Sequence, residues 1–122
     1  MTKAKDLLSK MEEGKKGIIT VTTELSWESV PSRGNKSGGF VGSLHTNLKS
    51  LTQSLGRSLP PSPDGKVRKE WIIRFGNDEV AWVYDYADDT PVSKITEWHV
   101  GGSRKAAEWI AKIVGAKFIA NR

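Results

Sequence analysis

Cysteine is absent from the 122 residues of this chain. Without thiols there is no zinc–thiolate site, disulfide framework or cysteine nucleophile, and the composition fits a reducing compartment. Long apolar runs are also absent, because the longest falls far short of the roughly 20 residues that a transmembrane helix needs. The start, MTKAKDLLSKMEEGKK, lacks the apolar stretch and cleavage site of a secretory signal. We therefore expect a soluble cytoplasmic protein with no membrane partner.

Acidic residues are missing from residues 29–63, and four cations lie in this span: Arg33, Lys36, Lys49 and Arg57. The whole chain has 19 Lys and Arg against 14 Asp and Glu, a net charge of +5. The sign reverses from Asp78 to Asp89, where five carboxylates occur without a base. The charge pattern predicts a basic region and an acidic hairpin, and it permits contact with nucleic acid.

The length suits a single domain spanning residues 1–122. Apolar periodicity predicts an α+β fold in which helices cover one face of an antiparallel sheet of about four strands. One strand is expected near 18–27, followed later by a meander at 67–75, 80–87 and 95–100, with helices near 2–13, 43–55 and 103–114. Loops near 30–39 and 57–66 are rich in Gly, Ser and Pro and are expected to be mobile. The tail AKFIANR is either a last short strand or a packed segment.

The stretch ITEWHVGGSRK, residues 95–105, passes from strand-like alternation through two glycines into a predicted helix. Free N–H groups at the helix start, together with Ser103, Arg104 and Lys105, would suit a phosphate. The simpler interpretation is that the glycines turn the chain and Ser103 caps the helix. Neither GxxxxGK[ST] nor GxGxxG accompanies this stretch, so the familiar nucleotide-binding motifs are absent.

The acid-free span supplies a second candidate phosphate-binding surface. Arg33 and Lys36 lie among glycines and serines, while Lys49 and Arg57 belong to the helix that follows. Such cations predict salt-sensitive binding with little sequence preference. The alternative is an ordinary solvated loop. On these two surfaces we predict a small non-catalytic protein that contacts DNA or RNA through phosphates and needs no cofactor.

A metal-dependent nuclease is a third hypothesis. Counting by twos along the predicted strands places Glu24, Asp85, Glu97 and His99 on one polar face, where they could converge on a divalent ion. The alternative is a solvent-facing sheet whose charges pair across strands. Only the E-x-H spacing of Glu97 and His99 is visible in the sequence, so we favour a protein that is not an enzyme and holds no metal.

The segment VAWVYDYADDTPVSKITEWHVGGSRKAAEWI, about the last third of the chain, resembles small uncharacterised proteins encoded by bacteriophages. The resemblance implies an accessory protein of infection, acting in the host cytoplasm. Such proteins commonly bind and inhibit or adapt a host protein, or handle nucleic acid. A host protein is therefore the alternative partner, and homo-oligomerisation is left open.

Overall fold

The computed structural model describes residues 15–31, 33, 38–86 and 89–121. Seven strands lie in this part of the chain: β1 (Lys16–Thr20), β2 (Glu24–Ser29), β3 (Phe40–His45), β4 (Glu70–Phe75), β5 (Val80–Tyr84), β6 (Glu97–Gly102) and β7 (Lys117–Ala120). Helix α1 (Leu48–Leu55) follows β3, helix α2 (Arg104–Val114) follows β6, and a 3₁₀ turn (Val92–Lys94) precedes β6. The helix predicted near 2–13 lies outside the described residues.

All seven strands form one antiparallel sheet in the order β1-β2-β4-β5-β6-β3-β7. The sheet curls into a half-barrel, with β1 and β7 at its two edges. The predicted α+β fold with about four strands is therefore wrong, because the described chain is mostly sheet. The meander predicted from the last half of the sequence is present as β4, β5 and β6 at the centre of the sheet.

The strand predicted near 18–27 is a hairpin of two strands. The three residues 21–23 turn the chain, and Val21 N–H donates to the carbonyl of Thr23 at 3.0 Å. Ile19 lies directly opposite Leu25. Because these two residues are an even number apart, their alternation passes through the turn unbroken. One long strand and a tight hairpin thus have the same apolar pattern.

The helix predicted near 43–55 begins later than expected, because residues 40–45 form β3. Asn47 is its N-cap, with the side-chain oxygen accepting from Ser50 N–H at 2.8 Å. Leu44 fits the helical leucine spacing by coincidence: it points from β3 into the same core that Leu51 and Leu55 reach from α1. These leucines face one core from two different elements, and their spacing in the sequence is therefore the same as that of a single helix.

Both helices pack on the same face of the sheet, here called the helix side. The largest buried side chains there are Leu44, Trp71, Ile73, Phe75, Val83, Trp98 and Val100 from the strands and Leu51, Leu55 and Ile110 from the helices. Trp71 and Trp98 meet edge to face at 5.7 Å, and the Trp71 indole N–H donates to the carbonyl of Gly56 at 2.8 Å. These contacts lock α1 over the central strands.

Helix α2 lies at the position predicted for it, with Ser103 as N-cap and Gly115 in the left-handed conformation at its end. The tail that follows adds β7 to the edge of the sheet, paired with β3. In the described part of the chain, no helix is long and apolar enough to cross a membrane.

Candidate nucleic-acid interface

The face of the sheet opposite the helix side, here called the outer face, is covered by neither α1 nor α2. Residues paired across neighbouring strands share a face, so the registers identify its side chains. One row of paired residues crosses five strands: Glu70, Tyr84, His99, Ser43 and Ile119. A second row contains Ile72, Trp82, Gly101 and Phe40.

Four rings form a continuous patch on the outer face, here called the ring cluster: Phe40, Tyr84, Tyr86 and His99. His99 is at its centre, stacked on Tyr84 at 5.4 Å between centroids and meeting Phe40 edge-on at 5.6 Å. Tyr86 approaches Tyr84 at 6.4 Å and His99 at 6.5 Å. Phe40 is 45% exposed and Tyr86 is 48% exposed. Two large rings on either side of His99 are therefore open to a ligand.

Trp82 forms the floor beside the ring cluster and is only 6% exposed. Its indole lies against Gly101, which pairs with Trp82 on one side and with Phe40 on the other. A Cβ at residue 101 would come within 2.4 Å of the Trp82 indole nitrogen. The double glycine at 101–102 is thus needed for the close approach of Trp82.

The loop from residue 57 to residue 66 places a cation at the edge of the ring cluster. Asp64 accepts from the Ser62 hydroxyl at 2.7 Å and from Lys66 N–H at 3.1 Å, which closes the turn. The hydrogen bond from Ser62 also lowers the pKa of Asp64, with help from Lys66. This turn places the Lys66 ammonium 6.0 Å from the centre of the Tyr86 ring. A cation and an exposed aromatic ring therefore stand side by side.

At the other side of Tyr84 lies a carboxylate that is almost completely buried. Glu70 is 1% exposed, and Arg33 Nε contacts its Oε1 at 2.5 Å. Arg33 also donates to the carbonyl of Pro60. Burial raises the pKa of the Tyr84 hydroxyl above its ordinary value, and the charge of Glu70 and the neighbouring Tyr86 add to this effect. Tyr84 is therefore neutral at physiological pH, so its ring carries no charge that would repel phosphate.

A groove of about 670 Å³ opens at Pro60, whose carbonyl accepts from Arg33 of the ion pair with Glu70. Its lining is drawn from three loops and the 3₁₀ turn: Ser29, Val30, Pro31, Arg57, Ser58, Leu59, Pro60, Pro61, Arg68, Lys69 and Val92. Three of these residues are cations and none is acidic. Arg57 and Lys69 have no carboxylate partner among the described residues. We call this cavity the basic groove.

Asp85 joins the basic groove to the strands that carry the ring cluster. It is buried, and its carboxylate accepts from Arg68 N–H at 2.9 Å, Lys69 N–H at 2.8 Å and Arg68 Nε at 2.7 Å. Arg68 also donates to the carbonyl of Thr90 at 2.7 Å. These bonds fix the start of β4 against the end of β5, so Asp85 sets the position of Lys69 relative to Tyr84.

The cations predicted from the acid-free span do not form one surface. Arg33 is at the rim of the basic groove, where its charge is neutralised by Glu70, and Arg57 lines the groove. Lys49 is exposed on α1, on the opposite side of the sheet from the outer face. Lys36 lies outside the described residues.

The anion site predicted at the start of α2 is already occupied by groups of this chain. Ser103 Oγ accepts from Ala106 N–H at 3.2 Å and donates to the Glu79 carboxylate at 2.9 Å. Glu79 supplies the negative charge that the helix dipole favours. Arg104 and Lys105 remain exposed beside it. The capping interpretation of Ser103 accounts for these contacts.

The predicted metal cluster is not assembled. Asp85 points to Arg68 and lies on the opposite side of the sheet from His99, while Glu24 is on β2, three strands away from β6. Glu97 lies opposite His45 rather than beside another carboxylate. In the described part of the chain, no three His, Asp or Glu side chains are placed to hold a metal ion.

The ring cluster is the feature that sequence reasoning missed. Its signal was present, because Tyr84 at the end of β5 and Tyr86 two residues further on alternate with Asp85, and His99 follows Trp98 on β6. Alternation alone does not show which of these aromatic side chains are exposed. Phe40 starts β3 and lies on the outer face.

Comparison of this chain with protein-family models, curated proteins and solved structures finds no match.

Proposed function

We propose that this protein is a non-catalytic nucleic-acid-binding protein that contacts phosphates through the basic groove. The observation that carries the proposal is the groove itself: Arg57, Arg68 and Lys69 line it, and none of its described lining residues is acidic. Arg68 is held by Asp85, whereas Arg57 and Lys69 have no carboxylate partner among the described residues. Two such cations facing one cavity favour a polyanion.

The position of the basic groove in the sheet favours nucleic acid over a small anionic metabolite. The basic groove opens at the start of β4, and the ring cluster begins one cross-strand pair away, at Glu70 and Tyr84. A chain of phosphates leaving the groove would pass directly onto the outer face. The cysteine-free composition fits a reducing compartment, and the proposal places the protein in the cytoplasm.

The test is binding of fluorescently labelled DNA and RNA, single- and double-stranded, across a salt series. Removing one cation that binds a phosphate should reduce the slope of log affinity against log salt by roughly 0.7 to 0.9. Arg57→Gln and Lys69→Gln should each show this reduction. Lys112→Gln is the matched control, since Lys112 is exposed in the last turn of α2 and does not line the groove. Equal slopes for wild type, Arg57→Gln and Lys69→Gln would remove the groove from the interface.

A protein partner is the second candidate, and one observation favours it. Edge strand β7 exposes Ile119, and its free edge could pair with a strand of another chain. A phage-type inhibitor or adaptor of a host protein would use such an edge. Binding to one purified partner that survives moderate salt would favour this candidate over nucleic acid, because phosphate contacts weaken steeply with salt.

A further inference from the structure

We infer that the nucleic acid is single-stranded and that its bases stack on the ring cluster, with Phe40 and Tyr86 as the two open platforms. The inference rests on the proposed function and names the form of nucleic acid that the outer face selects. It depends on the exposed rings, which the groove argument does not use.

Phe40 and Tyr86 are exposed although other large apolar side chains of the same face are buried. Ile72 and Trp82 pair on the same face and are both buried, whereas the two platforms are each nearly half exposed. His99 meets both platforms edge to face and Tyr84 meets Tyr86 in the same way, at centroid distances of 5.6 to 6.5 Å. The rings are therefore held in place before any ligand arrives, which reduces the entropy cost of stacking.

The preference for a single strand follows from which parts of a base an aromatic side chain can contact. In a duplex each base is covered above and below by its neighbours, so only base edges and the backbone are open to a protein. In a single strand the flat faces can separate and stack on aromatic side chains. The exposed rings of Phe40 and Tyr86 therefore have a stacking partner in a single strand and none in an intact duplex.

The charges around the ring cluster agree with a strand whose phosphates lie beside its bases. Lys66 stands next to Tyr86, and Lys117 extends the same face on β7. Two exposed acids of the described chain lie near them, Glu97 on β6 and Asp64 in the turn of Lys66, and Glu70 is neutralised by Arg33. Stacking on rings between flanking cations is the common mode of sequence-independent single-strand binding.

The experiment compares a labelled oligothymidine of about 20 nucleotides, long enough to cover one domain, with a mixed-sequence duplex of equal length. Stacking contributes roughly 1–3 kcal/mol per base, so Phe40→Ala and Tyr86→Ala should each weaken single-strand binding by about 5- to 150-fold. Tyr86→Phe keeps the ring and should restore binding to near the wild-type level. Duplex affinity should be weaker and insensitive to these substitutions.

Ile18→Ala is the matched control. Ile18 is 67% exposed on the same face, on edge strand β1, but it offers no ring. Its truncation should leave single-strand affinity unchanged. Melting temperatures and circular dichroism of all four variants establish that they are folded. Photocrosslinking of an iodouracil-substituted strand should place adducts in the peptides that contain Phe40 or Tyr86.

Two outcomes overturn the inference, and they differ in what else fails. If single strand and duplex bind equally and Tyr86→Ala has no effect, stacking is wrong while the basic groove stands. If neither form binds even at low salt, the proposed function fails as well, and the exposed rings belong to a protein interface. Single-strand preference that Phe40→Ala and Tyr86→Ala abolish, and that Ile18→Ala does not, supports the inference.

Discussion

Replacing Asp85 with Ala should destabilise the protein far more than replacing any other acidic side chain of its loop. Asp85 is 2% exposed and accepts three hydrogen bonds, two of them from backbone N–H groups. A hydrogen bond to a charged group contributes about 1.5–3 kcal/mol. Arg68 is partly exposed and can turn to water, so the bond from its side chain counts for little. The two backbone donors remain, and at this contribution from each we expect a decrease of about 3–6 kcal/mol in the free energy of unfolding.

Urea unfolding, followed by tryptophan fluorescence, measures this decrease directly. Asp89→Ala is the control, because Asp89 is exposed four residues away and should change stability by less than about 0.5 kcal/mol. Asp85→Asn keeps one acceptor for the backbone donors and should lie between Asp85→Ala and wild type. A decrease below about 1 kcal/mol for Asp85→Ala would refute the idea that this carboxylate fixes β4 against β5. Asp85→Ala should also weaken nucleic-acid binding, because it displaces Lys69. This loss can be compared with that of Lys69→Gln.

Two further predictions concern the outer face. Gly101→Ala forces a methyl group against the Trp82 indole and should cost about 1–3 kcal/mol in urea unfolding; unchanged stability would show that Trp82 moves aside freely. Because burial raises the pKa of Tyr84, its neutral form stabilises the folded state, and this contribution is complete below the pKa of an unfolded tyrosine. It should disappear as pH rises through the folded-state pKa, so the tyrosinate absorbance at high pH should lose its latest-titrating component in Tyr84→Phe. Titration of both Tyr84 and Tyr86 at the ordinary pKa of tyrosine would contradict this prediction.

Local patterns predicted the elements whose signals are complete within a short stretch. Helix α2 has a serine cap, an apolar stripe and a terminal glycine, so it could be located from sequence alone. The hairpin of β1 and β2 could not be separated from one strand, because Ile19 and Leu25 keep the same parity across the turn. Strand β3 was hidden since Leu44 continued the leucine spacing of α1. Strand order depends on pairings across as many as three intervening strands, which no local pattern encodes.

The candidate site was missed for a related reason. Period two correctly groups Trp82 and Tyr84 on one face of β5, with Tyr86 just beyond the strand, but it does not say which face the helices cover. Both faces of this strand are apolar, so hydrophobicity alone does not separate the covered face from the open one. The packing of the neighbouring strands β4 and β6 determines which face of β5 the helices cover. Trp71 on β4 and Trp98 on β6 fill the helix side and meet across β5, which leaves room there only for Ala81 and Val83.

The same packing determines what the outer face can do. With the helix side of β5 restricted to small residues, its aromatic side chains are directed to the other face, where neither helix covers them. Asp85, one residue beyond Tyr84, then points to the helix side and bonds the start of β4. The alternation of side chains along this segment thus has two effects. It exposes the ring cluster on the outer face, and it directs Asp85 to the helix side, where its bonds hold Lys69 of the basic groove near that cluster. Stacking and phosphate binding should therefore fail together when Asp85 is replaced, but separately when Tyr86 or Lys69 is.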